Sequence, residues 1–152
     1  MAMVIYLGAD HAGYALKEKL KLMLEKKHIG FDDCGTHSEA DKVDYPDYAE
    51  MVAKSVLKNK GALGILVCGT GIGMCIAANK FKGIRAALCY NEFSAKMARE
   101  HNDANILCLG GRTMKPALAS RIANAWLSTQ FTNDDRHKRR LGKIAGLEKT
   151  RK

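Results

Sequence analysis

The stretch Ile65-Leu66-Val67-Cys68-Gly69-Thr70-Gly71-Ile72-Gly73 decides the fold. An apolar, β-branched run ends in a cysteine, and three glycines then alternate with Thr70 and Ile72. The apolar and small residues 74–79 read as the start of a helix. A strand that feeds a glycine turn and then a helix aims backbone N–H groups at one point. The helix dipole favours an anion or a developing negative charge there. Cys68 puts a thiol at the edge of that point.

Similar apolar runs recur on both sides. Residues 3–7 form a short β-rich run, residues 30–34 a weaker one, residues 63–67 lead into the glycine turn, and residues 84–89 and 106–109 follow. Helical patterns lie between them. Residues 14–27 carry Leu16, Leu20, Met23 and Leu24 on one face. A second helix opens with Pro46 in its first turn, capped by Asp44 or Tyr45, and buries Tyr48, Met51, Val52 and Val56. Residues 93–100 and 116–128 are helical, the latter with Leu118, Ile122 and Trp126 in register, and residues 136–149 form a basic helix.

Five short strands alternating with helices predict one α/β domain over residues 1–152. It is expected to be a three-layer αβα, Rossmann-like domain with a five-stranded parallel sheet and a C-terminal basic helix. A site in such a sheet lies beyond the carboxyl ends of its strands. The loops there are residues 9–13, 35–45, 68–73, 90–92 and 110–113, and polar and ionisable side chains crowd them.

Composition narrows the function. The 152 residues are 47% hydrophobic and 27% charged, ordinary for a globular protein. No apolar run approaches the roughly 20 residues of a membrane span, and no charged-then-apolar leader opens the chain. A cytoplasmic protein without a membrane partner is expected. The five cysteines are an odd number without a C-x-x-C pair, which argues against a disulfide framework or a structural zinc site. Of the net charge of +9, residues 132–152 carry +5, with eight Lys or Arg against Asp134, Asp135 and Glu148. A basic tail is more often a solvated helix face or a phosphate clamp than a duplex reader. No aromatic–basic interleaving accompanies it, so no nucleic acid is expected as a partner.

The glycine turn admits several readings. It is G-x-G-x-G after the third strand, not the G-x-G-x-x-G that follows the first strand of a dinucleotide fold. Glu92 tempts a ribose contact, but the chain leaves no room for a separate substrate domain. No Gly-Lys-Ser/Thr follows, which excludes a Walker-type loop. A compact oxyanion or phosphate cradle remains, with a nucleotide-binding module as its competitor. Cysteines on buried strands usually behave as small hydrophobes, and Cys34, Cys75, Cys89 and Cys108 are read so. Cys68 differs because it adjoins the turn and a helix N-terminus.

His11 sits beside Asp10 at the end of the first strand. His101-Asn102-Asp103 precedes the fifth strand, where Asn102 competes as the turn residue of a helix C-cap. Arg136, His137 and Arg140 group on one helical face, and two arginines one turn apart suit a phosphate. Thiol, backbone donors, histidine and a basic clamp, with neither metal ligands nor a redox motif, suit proton transfer next to the carbonyl of a small phosphorylated molecule.

The chain resembles the type B ribose-5-phosphate isomerases and the related allose- and galactose-6-phosphate isomerases. Four stretches carry the resemblance: residues 8–13 (GADHAG), 43–46 (VDYP), 68–73 (CGTGIG) with 77–80 (AANK), and 99–105 (REHNDAN). Asp135-Arg136-His137 and Arg140 close the pattern. The resemblance implies interconversion of D-ribose 5-phosphate and D-ribulose 5-phosphate through a cis-enediolate, a step of the pentose phosphate pathway, with hexose 6-phosphates as alternative substrates. It makes Cys68 the base between C1 and C2 and His101 the ring-opening acid, assisted by Thr70. The N–H groups of Gly69, Thr70, Gly71, Ile72 and Gly73 would hold the enediolate. Asp10, Tyr45 and Asn102 would contact the sugar, and His11, Arg112, Arg136 and Arg140 the phosphate. Some members use a glutamate after the last glycine in place of the cysteine. Met74 stands there in this chain, which marks the cysteine type. The resemblance further implies a homodimer with sites shared between subunits, and neither metal nor cofactor.

Overall fold

The computed structural model describes residues 3–149. The chain runs β1 (Ile5–Ala9), α1 (Tyr14–Lys26), β2 (Phe31–Asp33), α2 (Tyr45–Lys58), β3 (Leu63–Cys68), α3 (Ile72–Ala78), β4 (Ala86–Leu88), α4 (Glu92–Glu100), β5 (Ile106–Gly110), α5 (Pro116–Leu127) and α6 (Asp135–Glu148). All strand pairings are parallel, in the order β2-β1-β3-β5-β4. The three-layer architecture expected from the alternating runs is therefore the observed one.

Side chains alternate across the central strands, as the period of two requires. Ile65, Val67, Leu107 and Leu109 join the core that α1, α4 and α5 cover. Leu66, Cys68, Ile106 and Cys108 face the opposite core under α2 and α3. Every residue of β3 is buried, which explains why it reads as a continuous apolar run rather than an alternating one. Cys68 thus belongs to the α2–α3 side of the sheet.

Local boundaries depart from the sequence reading where side chains intervene. The fourth strand is expected over residues 84–89 but pairs only from Ala86 to Leu88. At its start the Arg85 N–H turns to the side-chain oxygen of Asn105, 2.8 Å away. The third helix begins at Ile72 rather than Met74, because Gly71 adopts a left-handed φ of +80° and serves as its N-cap. Asp44 is the N-cap of α2, but its side chain makes no capping hydrogen bond. After α4, Asp103 and not Asn102 takes the positive φ, +44°.

One ion cluster pins the loop that follows β2. Lys17 is fully buried, and its ammonium lies 2.5 Å from Asp33 Oδ1, while Lys21 lies 2.8 Å from Asp33 Oδ2. Asp33 Oδ1 also accepts the Gly35 N–H at 2.9 Å. Burial opposes ionisation of Asp33, but hydrogen bonds from Lys17, Lys21 and Gly35 outweigh it and hold the carboxyl below its ordinary pKa. Beyond this anchor, Thr36 N donates to Ala9 O at 2.7 Å, which fastens the loop to the end of β1.

Asp33→Asn leaves the buried Lys17 ammonium only the partly exposed Glu18 carboxylate, 3.2 Å away, as counter-ion, and is expected to cost up to about 3–5 kcal/mol by urea unfolding, whereas Lys17→Met costs less. A carboxyl with a depressed folded pKa stabilises above its unfolded pKa and loses that contribution as pH falls through the folded value. The wild-type chain should therefore lose stability below about pH 4 by an increment that Asp33→Asn does not show.

Candidate active site at the carboxyl edge of the sheet

Strands β1, β3 and β5 end together, with Ala9 opposite Val67 and Cys68 opposite Gly110. Their following loops interlock through backbone. Asp10 N donates to Val67 O at 3.2 Å, Gly111 N to Cys68 O at 2.8 Å, and Arg112 N to Gly69 O at 2.9 Å. The approach leaves no room for side chains. A Cβ on Gly13 would fall 2.1 Å from the Val67 carbonyl oxygen, and one on Gly111 2.6 Å from Ala12 O.

Cys68 closes β3 with its thiol nearly buried, 4% exposed. The turn after it reverses through Gly71, whose N–H donates to Cys68 Sγ at 3.1 Å. A donor aimed at the sulfur is complementary to a thiolate there. A Cβ at Gly71 would come 2.6 Å from Leu88 Cδ1 and 3.0 Å from Leu109 O, so both the turn and the hydrogen bond require glycine. The next N–H, of Ile72, donates to Thr70 Oγ1 at 3.2 Å. The N–H groups of Gly69, Thr70 and Gly73 have no protein partner among the described residues. The cradle thus divides its donors: one serves the thiol, one orients Thr70, and three stay open for an oxyanion.

Four side chains surround it. Asp10 is buried, and its Oδ1 accepts the Gly13 N–H at 2.9 Å. His11 Nδ1 accepts the Val43 N–H at 3.2 Å. An accepting Nδ1 puts the ring proton of the neutral imidazole on Nε2, where it can serve an external anion. Tyr45, the first residue of α2, lays its ring over Gly73; a Cβ there would sit 2.6 Å from Tyr45 Cζ. Arg112 runs beside Gly69, its Cδ 3.5 Å from where a Cβ would stand. Asp10, His11, Tyr45, Cys68, Gly69–Gly73 and Arg112 therefore share one edge.

The remaining sequence-predicted residues lie elsewhere. His101 caps the C-terminus of α4, ahead of β5, and β5 then runs four residue steps, about 13 Å, before Gly110 meets Cys68. His101 and the exposed Asn102 thus occupy the amino edge of the sheet, opposite Cys68. Helix α6 starts beside them. Its His137 is 3% exposed and stacks on His101, with ring centroids 4.2 Å apart and an interplanar angle of 17°. Arg136 and Arg140 stay exposed. The grouping of Arg136, His137 and Arg140 on one face is corrected accordingly: His137 turns inward and the arginines outward. A single chain does not bring the two sets together.

Two features escaped the sequence reading. Cys75, grouped with the inert thiols, has its pKa pulled down to about 7 by a hydrogen bond from Cys108, against burial and with help from the Leu88 N–H and Asn79. The signal was Asn79 one helical turn later. Burial pushes Cys89 up to about 11 and raises Cys34 and Cys108. The second is the burial of His137. No group of three or more His, Cys, Asp or Glu able to hold a metal ion occurs among the described residues. No helix among them is long and apolar enough to cross a membrane.

Known proteins are similar to this chain in sequence and fold. A family profile described as Ribose/Galactose Isomerase matches residues 5–144. The chain is 42% identical over 147 residues to ribose-5-phosphate isomerase B of Escherichia coli, covering 97% of each chain. It is similar to the solved ribose-5-phosphate isomerase B of Clostridium thermocellum, with a TM-score of 0.95 and 47% identity over 99% of this chain and 100% of that one. The type B ribose 5-phosphate isomerase of Trypanosoma brucei gives 0.92 and 46%, over 97% and 99%. Profile coverage, sequence identity and fold agree, and the chain belongs to the ribose/galactose isomerase family.

Proposed function

We propose that this isomerase interconverts D-ribose 5-phosphate and D-ribulose 5-phosphate through a cis-enediolate. The observation that carries the reading is the Gly71 N–H on Cys68 Sγ beside the open N–H groups of Gly69, Thr70 and Gly73. A base next to preorganised oxyanion donors is what an enolisation requires. Cys68 takes the proton from C2 of the open-chain aldose and returns it to C1. The open N–H groups hold the oxygen that gains charge, Thr70 steadies the sugar oxygens, and Asp10 and Tyr45 hold the hydroxyls. The O2 hydroxyl proton passes to O1 across the enediolate while the carbon-bound proton rides on the thiol, where it exchanges with solvent, so the step balances without an oxidant. His11 Nε2 and Arg112 grip the phosphate from the carboxyl edge.

Ring opening of the furanose falls to His101, with Asn102 on a substrate oxygen and Arg136 and Arg140 on the phosphate. Because these lie at the other edge of the sheet, the complete site needs a second copy of the chain. A two-fold dimer that apposes the amino edge of each subunit with the carboxyl edge of its partner completes two sites at once. Exposed apolar side chains support this association: Ile72, Ile76, Tyr90 and Phe93 are 49–71% exposed near α3 and the start of α4.

Cys68→Ala should lower kcat for ribose 5-phosphate by a factor on the order of 10³ or more while leaving substrate binding within a few-fold. Near-normal turnover by that variant would remove the base assignment. Parallel assays on allose 6-phosphate test the size of the accepted sugar, with the pentose expected to be preferred. The shared site has its own test. Cys68→Ala and His101→Ala dimers, unfolded together and refolded, should regain about a quarter of wild-type activity, because half of the mixed dimers' sites are intact. Absence of any regain would place both residues in one subunit's site.

A further inference from the structure

The His101 ring has no hydrogen bond to either nitrogen among the described residues, although it caps α4 beside the exposed Asn102. What faces it is His137, 3% exposed, whose ring lies parallel at 4.2 Å. His137 is itself held from the backbone, its N–H donating to Asp134 O at 2.9 Å in the first turn of α6. Its Nε2 is buried without a hydrogen-bond partner and stands 3.9 Å from the nearer carboxylate oxygen of Asp134. Burying an imidazole nitrogen without a partner is unfavourable, and an apolar side chain would fill the same space without that cost. The buried ring therefore calls for a role that its flat face supplies.

We propose that His137 is a positioning residue for the ring-opening acid, its buried imidazole fixing the plane of His101 by stacking. The inference rests on the reading of His101 as that acid. Aromatic stacking restricts the rotation of a side chain that lacks hydrogen bonds of its own. A general acid must hold its proton in line with the ring oxygen, and a small misplacement costs rate steeply. Burial, with His101 and Arg136 next, pushes the His137 pKa below its ordinary value against the pull of Asp134. The neutral form of His137 is thereby favoured, which disfavours a pair of stacked cations. Arg136 and Arg140 flank His137 on the outer side of the same helix, so one buried ring sets the acid and the two phosphate grips on a common base.

The test compares two substitutions that both bury an apolar side chain, His137→Phe and His137→Leu, of which Phe alone presents a flat face. Two reactions are read on the assembled enzyme: turnover of ribose 5-phosphate, which starts as a ring, and deuterium exchange at C1 of ribulose 5-phosphate, which is open-chain. Exchange needs Cys68 but no ring opening. His137→Leu should lower kcat for ribose 5-phosphate about tenfold with KM changed less than about threefold, and leave exchange within about twofold. His137→Phe should retain kcat within about threefold of wild type. Equal loss in Phe and Leu, or equal loss in both reactions, overturns the proposal. A His101→Ala enzyme that slows both reactions alike, or neither, removes instead the reading of His101 on which the proposal stands.

Discussion

Gly71 is the residue on which the site depends. Its positive φ lets the chain leave β3 and enter α3 within three residues, and the same turn points its N–H at Cys68 Sγ. Leu109 O stands where a Cβ would go, so packing enforces the glycine from the β5 side as well. One backbone conformation thus starts a helix, orients a thiol and leaves neighbouring N–H groups open. Without it the thiol would be one more buried cysteine, as Cys108 is on the adjacent strand.

The rest of the molecule supports that turn from below. Parallel pairing brings three strand ends to one edge, and close glycine contacts let the loops after β1, β3 and β5 lie backbone against backbone. The Lys17–Asp33 cluster extends the same discipline to the loop after β2, through Gly35 and Thr36 to the end of β1. That loop returns its Val43 N–H to His11 and delivers Tyr45 over Gly73. Stability and the geometry of the carboxyl edge are therefore carried by the same contacts, with a buried charge pair at their root.

Much of this was legible in the sequence because short-range rules dominate it. The apolar runs give the strands, the glycine turn gives the cradle, and the carboxyl-edge rule predicts where Asp10, His11, Cys68 and Arg112 meet. Legibility fails where a side chain from a distant segment decides the outcome. Asn105 shortens β4 by drawing off the Arg85 N–H, and no local propensity announces that. His137 looks like its arginine neighbours in a basic helix, and only its stacking on His101, just past the end of α4, shows that it turns inward. Cys75 reads as a small hydrophobe until Cys108, 33 positions later in the chain, is seen to donate to it. The separation of Cys68 from His101 follows from strand direction and could be drawn from the element order alone.

Strand β4 lies at the rim of the sheet, where an unpaired backbone would invite another strand. The Asn79 side chain occupies that position instead, accepting from Ala86 N and donating to Ala86 O, both at 2.9 Å, while the Leu88 N–H is taken by Cys75. A side chain of α3 and that of its C-cap thus imitate a neighbouring strand. The sheet is closed to extension on that side, so any association of two chains across β4 must be built from side-chain packing and not from a continuous ten-stranded sheet. The same saturation protects a short, apolar rim from the edge-to-edge pairing that leads to aggregation.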